Sequence, residues 1–282
     1  MRIRHRTIYN YNRAVFFDPH RLMLRPRDGL SVRVLDCAIT TEPESLLSWS
    51  VDVRGNAVAM ATFQEISDRL VIESDMNVDV TIPPWPEYNI ARMATEYPFY
   101  YSDDDWLDLG ALAKPYFTDP EGRLERWVRS FIAGRPTNTL ALLSDLNSGI
   151  QLSLNYQSRE YEGTQTPLET IDRGWGACRD FAILFAEAAR ILGFGVRVVS
   201  GYLHDPDMSN IASGATHAWA EVFIPGAGWV PFDPTNATIG GPNLVPVAVG
   251  RSMAQVVPVS GSFQGLTGSF MGMSVEVGFS QY

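Results

Sequence analysis

Residues 174–203, GWGACRDFAILFAEAARILGFGVRVVSGYL, decide the fold. Phe181, Leu184, Phe185, Ala188 and Leu192 recur at helical spacing and form one apolar stripe. Gly193 follows, a natural helix C-terminal residue. The run Val196–Tyr202 is then β-branched and aromatic, which reads as a strand. Downstream, His217–Ile224 and Trp229–Asp233 read as two further strands. Upstream, Leu124, Trp127, Val128, Phe131 and Ile132 mark another helix, and 139–154 a third, with Leu142, Leu143, Leu146 and Ile150 on one side. Helices followed by an antiparallel sheet give an α+β order.

The first 82 residues read differently. Ile3, His5, Thr7 and Tyr9 alternate with arginines, and Val32, Val34 and Asp36 alternate with Arg33, Leu35 and Cys37. Further short runs at 51–60, 70–74 and 78–82 point to an antiparallel sandwich. Pro83, Pro84 and Pro86 remove ladder donors and end the strand pattern. The expected organisation is an N-terminal β-sandwich-like domain over 1–85 and a core over 86–282, with tail strands at 244–249, 255–259 and 274–279.

The chain has 282 residues, enough to bury a core without disulfide or metal staples. Its charge balance, 22 − 32 = −10, argues against nucleic acid or an anionic membrane surface as a partner. No apolar run is long enough to span a bilayer. Two cysteines, Cys37 and Cys178, make no disulfide framework, and the charged N-terminus has no signal-peptide core. The expected compartment is the cytoplasm, where free thiols persist.

Three residues carry the candidate chemistry. Cys178 heads the helix, His217 lies early in its strand and Asp233 ends the next one. The separations are 217 − 178 = 39 and 233 − 217 = 16 residues. If the two strands pair, His217 and Asp233 approach across the ladder, and a cysteine at the helix start can face them. A helix N-terminus and an imidazolium both favour a thiolate. The histidine can take and return a proton, and the aspartate can orient it. Asp180, in the first helical turn, fits a capping role, and Cys37 a core thiol. His5, His20 and His204 show no metal-ligand spacing. No cofactor or metal is expected.

The strings GWGACRDFA, VVSGYL, THAWAEVFIPGAGWVPFDPTN and VAVGR resemble the bacterial transglutaminase-like superfamily of cysteine proteases, over roughly residues 90 to 250. The strands that include HRLMLRPR (20–27) resemble the β-rich domain that precedes this core in bacteria. The resemblance implies a papain-like, transglutaminase-like core and assigns the nucleophile, histidine and acid to Cys178, His217 and Asp233. No calcium loop of the kind found in animal members is recognisable. For the oxyanion, the backbone N–H of Cys178 is one donor, and Tyr156, Gln157 and Gln165 are side-chain candidates. Tyr156 lies where the family often has an aromatic residue. The implied function is a thiol hydrolase of peptide or protein amides acting through an acyl-enzyme. The alternatives are a transglutaminase, in which an amine resolves the same intermediate, and a non-catalytic binding module.

Overall fold

The computed structural model describes residues 1–81, 86–159, 163–204 and 214–280. Pro83 and Pro84 of the expected proline break lie outside these residues. The N-terminal part is strands throughout: β1 (Arg2–Phe17), β2 (His20–Leu22), β3 (Val32–Glu42), β4 (Ser45–Val51), β5 (Ala57–Phe63) and β6 (Ile66–Val80). Alternation along β1 buries Ile3, His5 and Thr7 and leaves Arg4 exposed. The alternation expected across 32–37 breaks. Register runs from Val34↔Val78 to Asp36↔Asn77, so Leu35 is bulged out and more than half exposed. One extra residue flips the faces. Cys37 therefore joins Val32 and Val34 on the inner side, while Asp36 turns outward and accepts from Asn77 Nδ2 at 2.8 Å.

The helical middle contains β7 (Glu96–Tyr97), α1 (Asp103–Leu109), α2 (Arg123–Arg129), β8 (Thr137–Asn138) and α3 (Thr139–Ser153). It continues through β9 (Asn155–Tyr156), α4 (Pro167–Arg173), β10 (Trp175–Gly176) and α5 (Cys178–Ile191). Ser102 caps α1, its Oγ accepting from Asp105 N at 3.1 Å. The apolar stripe expected to hold 124–132 in one helix outlasts α2, which ends at Arg129; Trp127 and Phe131 still pack edge to face, 5.0 Å apart. Then come β11 (Gly195–His204), β12 (Gly214–Ile224), β13 (Gly228–Asp233), β14 (Thr238–Ile239) and β15 (Leu244–Gly250). Residues 255–259, expected as a strand, instead close a short 3-10 turn (Met253–Gln255) before β16 (Val259–Ser260); β17 (Phe263–Gln264) and β18 (Phe270–Ser280) finish the chain.

One large sheet runs β14-β13-β12-β18-β1-β6-β3, with β11 beside β12 and β15 beside β11. A second sheet, β16-β2-β5-β4, packs over β1 and β6, around Phe17, Leu22, Phe63 and Leu70. The C-terminal strands thus return to the N-terminal ones: β16 pairs β2, β17 pairs β1, and β18 runs antiparallel to β1 from Tyr11↔Phe270 to Arg2↔Ser280. No helix among the described residues is long and apolar enough to cross a membrane.

α5 is buried almost all round, against β11 and β12 and beneath α2, α3 and α4. This burial takes in a charged pair. Glu187 Oε1 meets Arg190 Nη1 at 2.6 Å, with both side chains shielded from solvent. Glu187 Oε2 accepts from Tyr116 N and Phe117 N, and Arg190 donates to the carbonyls of Leu112, Val196 and Arg251. The pair ties the segment before α2 to the helix that carries Cys178. Removing one member of a buried pair strands the other charge, at a cost of about 3–5 kcal/mol. Glu187→Gln is therefore expected to lower the denaturation midpoint by that equivalent, and the double change Glu187→Gln with Arg190→Met to recover part of it. A single-variant loss below about 1 kcal/mol, the level of an exposed pair, would mean the network is not fully desolvated.

Candidate active site

Cys178 is the first helical residue of α5, after Ala177 in extended conformation. Alanine offers no side-chain acceptor, so the helix start is held from Asp180. Its Oδ2 accepts from Ala177 N at 2.9 Å, and its Oδ1 from Gln165 N and Arg159 Nη2, both at 2.8 Å. Asp180 is fully buried, which matches the expected capping role and extends it, since the same carboxylate fixes the segment before α4. Arg179 secures that segment from outside, donating to the carbonyls of Gly163 and Arg159.

The short parallel pair β9–β10 leads into the cysteine. Asn155 N donates to Gly174 O and Gln157 N to Gly176 O, each at 2.9 Å. Gly176 lets the strand approach α5 closely: a Cβ there would sit 3.0 Å from Asp180 Cβ and 3.1 Å from the Phe181 ring, and one of them would have to give. The pairing places Tyr156, half exposed, edge-on to Phe181. Burial raises its phenol pKa, the charges of Cys178 and Asp233 act the same way, and Arg179 opposes them. Of the other two side-chain oxyanion candidates, Gln157 is exposed, with its backbone N–H paired in the ladder. Gln165 is buried, and its amide has no hydrogen-bond partner among the described residues.

His217 sits on β12 directly opposite Gly201 of β11. A side chain at Gly201 would meet Val245 O at 2.1 Å and the Trp219 ring at 2.7 Å. Glycine there lets Trp219 bury itself and stack on His217, with ring centroids 6.3 Å apart. The β12–β13 hairpin turns over residues 225–227 and pairs Ala220 with Phe232. Asp233 then reaches back to His217: Oδ2 lies 2.8 Å from Nε2. The same carboxylate accepts from Asn236 Nδ2 at 2.7 Å and from Thr235 N at 3.0 Å. Cys178 lies close enough to the same imidazole to favour its protonated form. With Nε2 committed to Asp233, this leaves Nδ1 for the sulfur. The three residues singled out from sequence are thus brought together.

Burial opposes a charge on His217, but the bond to Asp233 and the negative charges of Asp233 and Cys178 prevail and push its pKa up to about 10. Burial raises the Asp233 carboxyl, yet His217, Asn236 and the Thr235 N–H hold it below its usual range. The His217 contribution is complete below the ordinary histidine value, about 6.5, and is lost as pH climbs toward about 10. The Asp233 contribution is present above the ordinary carboxylate range and is lost in acid. In urea titrations wild-type stability should fall between neutral pH and about pH 10, and fall less in Asp233→Asn. Equal declines in the two proteins would contradict the charged pair.

The remaining histidines lie elsewhere. His5 is buried in β1 with Nε2 2.7 Å from Thr7 Oγ1, and burial pushes its pKa down to about 4. His20 Nδ1 donates to Asp18 O, and His204 packs on Phe279. No cluster of three His, Cys, Asp or Glu residues suited to a metal occurs among the described residues. Cys37 is partly buried, its sulfur 3.8 Å from Ser74 Oγ, and burial raises its thiol pKa. Sequence reasoning missed Asn236, although its place three residues after an aspartate, in a turn, is an Asx-type signal. It also missed Arg159 and Gly201.

Residues 125–234 match the model of the Transglutaminase-like superfamily, and residues 1–79 that of the Bacterial transglutaminase-like N-terminal region. A protein of Mycobacterium tuberculosis is 31% identical over 98% of this chain and 91% of its own length. The chain belongs to the bacterial transglutaminase-like superfamily. The core match spans Cys178, His217 and Asp233. A Mycobacterium leprae relative is 33% identical over 39% of this chain and 40% of its own. The crystal structure of a "Putative Cysteine Protease" from Cytophaga hutchinsonii shares the fold, with a TM-score of 0.74 at 20% identity over 100% of this chain and 92% of that one. The architecture is α+β, a transglutaminase-like core with a β-rich N-terminal region.

Proposed function

We propose that this transglutaminase-like protein is a thiol-dependent amide or peptide bond hydrolase. The observation that carries the reading is the buried His217–Asp233 bond of 2.8 Å with the thiol of Cys178, at the start of α5, on the same imidazole. In this reading His217 holds the thiol proton and leaves a thiolate, which the helix N-terminus also favours. The sulfur adds to the substrate carbonyl carbon. The oxyanion so formed takes hydrogen bonds from the Cys178 N–H and the Tyr156 hydroxyl. When the C–N bond breaks, His217 gives its proton to the departing nitrogen. The thioester left on Cys178 is then attacked by water, whose proton passes to His217, and the acid departs.

Transfer to an amine shares every step up to the thioester, so a single assay separates the two outcomes. A panel of fluorogenic amide and peptide reporters is turned over with and without a primary amine. Hydrolysis predicts free acid as the main product in both. Predominant amide product would place the protein with the transferases, and no turnover of any reporter would favour a binding module. The expected substrate is a peptide or protein amide, and a reducing compartment such as the cytoplasm suits a free thiol.

A further inference from the structure

The start of α5 holds a buried negative charge beside the nucleophile that it presents. The Asp180 side chain is shielded from solvent and accepts from three donors, Ala177 N, Gln165 N and Arg159 Nη2. A carboxyl whose two oxygens both accept from N–H groups is in its ionised form, which can only accept. The bond to Ala177 N folds it back against the peptide that enters Cys178, so carboxylate and thiol share the first turn of the helix. A second anion there opposes a thiolate, because like charges in a poorly hydrated place disfavour each other. The carboxylate is nonetheless what fixes the helix start, since the Ala177 side chain accepts nothing.

Arg159 answers this conflict. Its Nη2 lies 2.8 Å from Asp180 Oδ1 and 3.1 Å from Gly163 O. The arginine side chain is only 13% exposed, so water and salt screen the pair little. The other charges around the helix start are engaged elsewhere. His217 and Asp233 are bonded to each other. Arg179 donates to the carbonyls of Gly163 and Arg159. The Tyr156 phenol, with its pKa raised, stays neutral at neutral pH. Glu169, whose charged form Arg159 also favours, is exposed in the capping box of α4. The cation bonded to the Asp180 carboxylate is Arg159.

We propose that Arg159 is a positioning residue for the reaction: by neutralising Asp180 it lets that carboxylate hold the helix start without suppressing the Cys178 thiolate. The proposal rests on the thiol-enzyme reading, and the test keeps the two apart.

Cys178 is alkylated at neutral pH with iodoacetamide, which is uncharged, and with iodoacetate, an anion of similar size. Each rate is read from the mass of the Cys178 peptide. In Arg159→Met the unbalanced carboxylate should slow iodoacetamide about tenfold, the lower end of what one neighbouring charge does to an ionisation. It should slow iodoacetate further, so the iodoacetamide-to-iodoacetate ratio rises. Arg159→Lys keeps the charge, and because a single nitrogen makes the bond to Asp180, both rates should stay near the wild type. Asp180→Asn leaves Arg159 unbalanced and should lower the ratio below the wild-type value, and combining it with Arg159→Met should restore that value. Unchanged rates in Arg159→Met would overturn the proposal. So would equal slowing with both reagents, because a residue that merely braces the segment before α4 cannot tell a neutral reagent from an anion. Should Arg159→Met lose its fold, seen as Cys37 reacting as fast as Cys178, the ratio in Asp180→Asn decides, and a value at or above the wild type would overturn the proposal equally. A wild-type Cys178 that reacts no faster than Cys37 would remove the activated thiol and this proposal together. A fast wild-type Cys178 whose ratio no variant moves would remove this proposal alone.

Discussion

Cys178→Ala is expected to abolish turnover of every amide reporter that the wild type cleaves. His217 and Asp233 can move and stabilise a proton, and their 2.8 Å bond commits them to each other; the nucleophile proposed beside that imidazole is the Cys178 sulfur. Without it no thioester can form, and what remains is binding and oxyanion stabilisation, worth about 10³–10⁴-fold over water in hydrolases of this design. The variant should fold, because Cys178 is only partly buried and the helix start is fixed by Asp180 through Ala177, Gln165 and Arg159. Substrate binding measured on the variant should therefore persist. Turnover at the wild-type rate would show that another nucleophile acts.

Asp233→Asn should leave the fold intact and lower turnover by up to about 10⁴-fold, the scale for a histidine held in the wrong tautomer. Three donors converge on the carboxylate: His217 at 2.8 Å, Asn236 Nδ2 at 2.7 Å and Thr235 N at 3.0 Å. An amide has one acceptor oxygen. If that oxygen faces His217, the amide nitrogen opposes the Thr235 N–H; if it faces Thr235, the nitrogen opposes His217 and Asn236. Either orientation weakens the hold on the imidazole and removes the negative charge that favours its protonated form. The effect should fall on kcat more than on KM, because it acts through His217 and touches no substrate. A loss of less than about tenfold, below the usual worth of general acid–base catalysis, would mean that the carboxylate is not needed to orient the histidine.

Much of this site is legible in the sequence, and the reason is local. The stripe on α5 places Cys178 at its first turn, and the turn over residues 225–227 is short enough to force β12 and β13 into a hairpin. Once those are read, His217 and Asp233 must approach. The supports are less legible, because each depends on a partner distant in sequence or on one bond's geometry. Asp180 looks like a capping residue, but nothing local says that its second oxygen will hold Gln165 N and Arg159. Asn236 reads as a turn residue until Asp233 is seen turned toward it. Alternation along β3 is misread because the bulge at Leu35 shifts the phase by one residue. The return of β18 to β1 joins residues more than 250 positions apart, which no periodicity encodes.

The central claim is that Cys178 is the nucleophile activated by His217, and one measurement addresses it directly. Wild-type protein is mixed with p-nitrophenyl acetate, quenched in acid within the burst and mapped by peptide mass. One acetyl group is expected, on Cys178, with Cys37 unmodified because burial raises its thiol pKa. Equal acetylation of Cys37 and Cys178, or acetylation of neither, would contradict it.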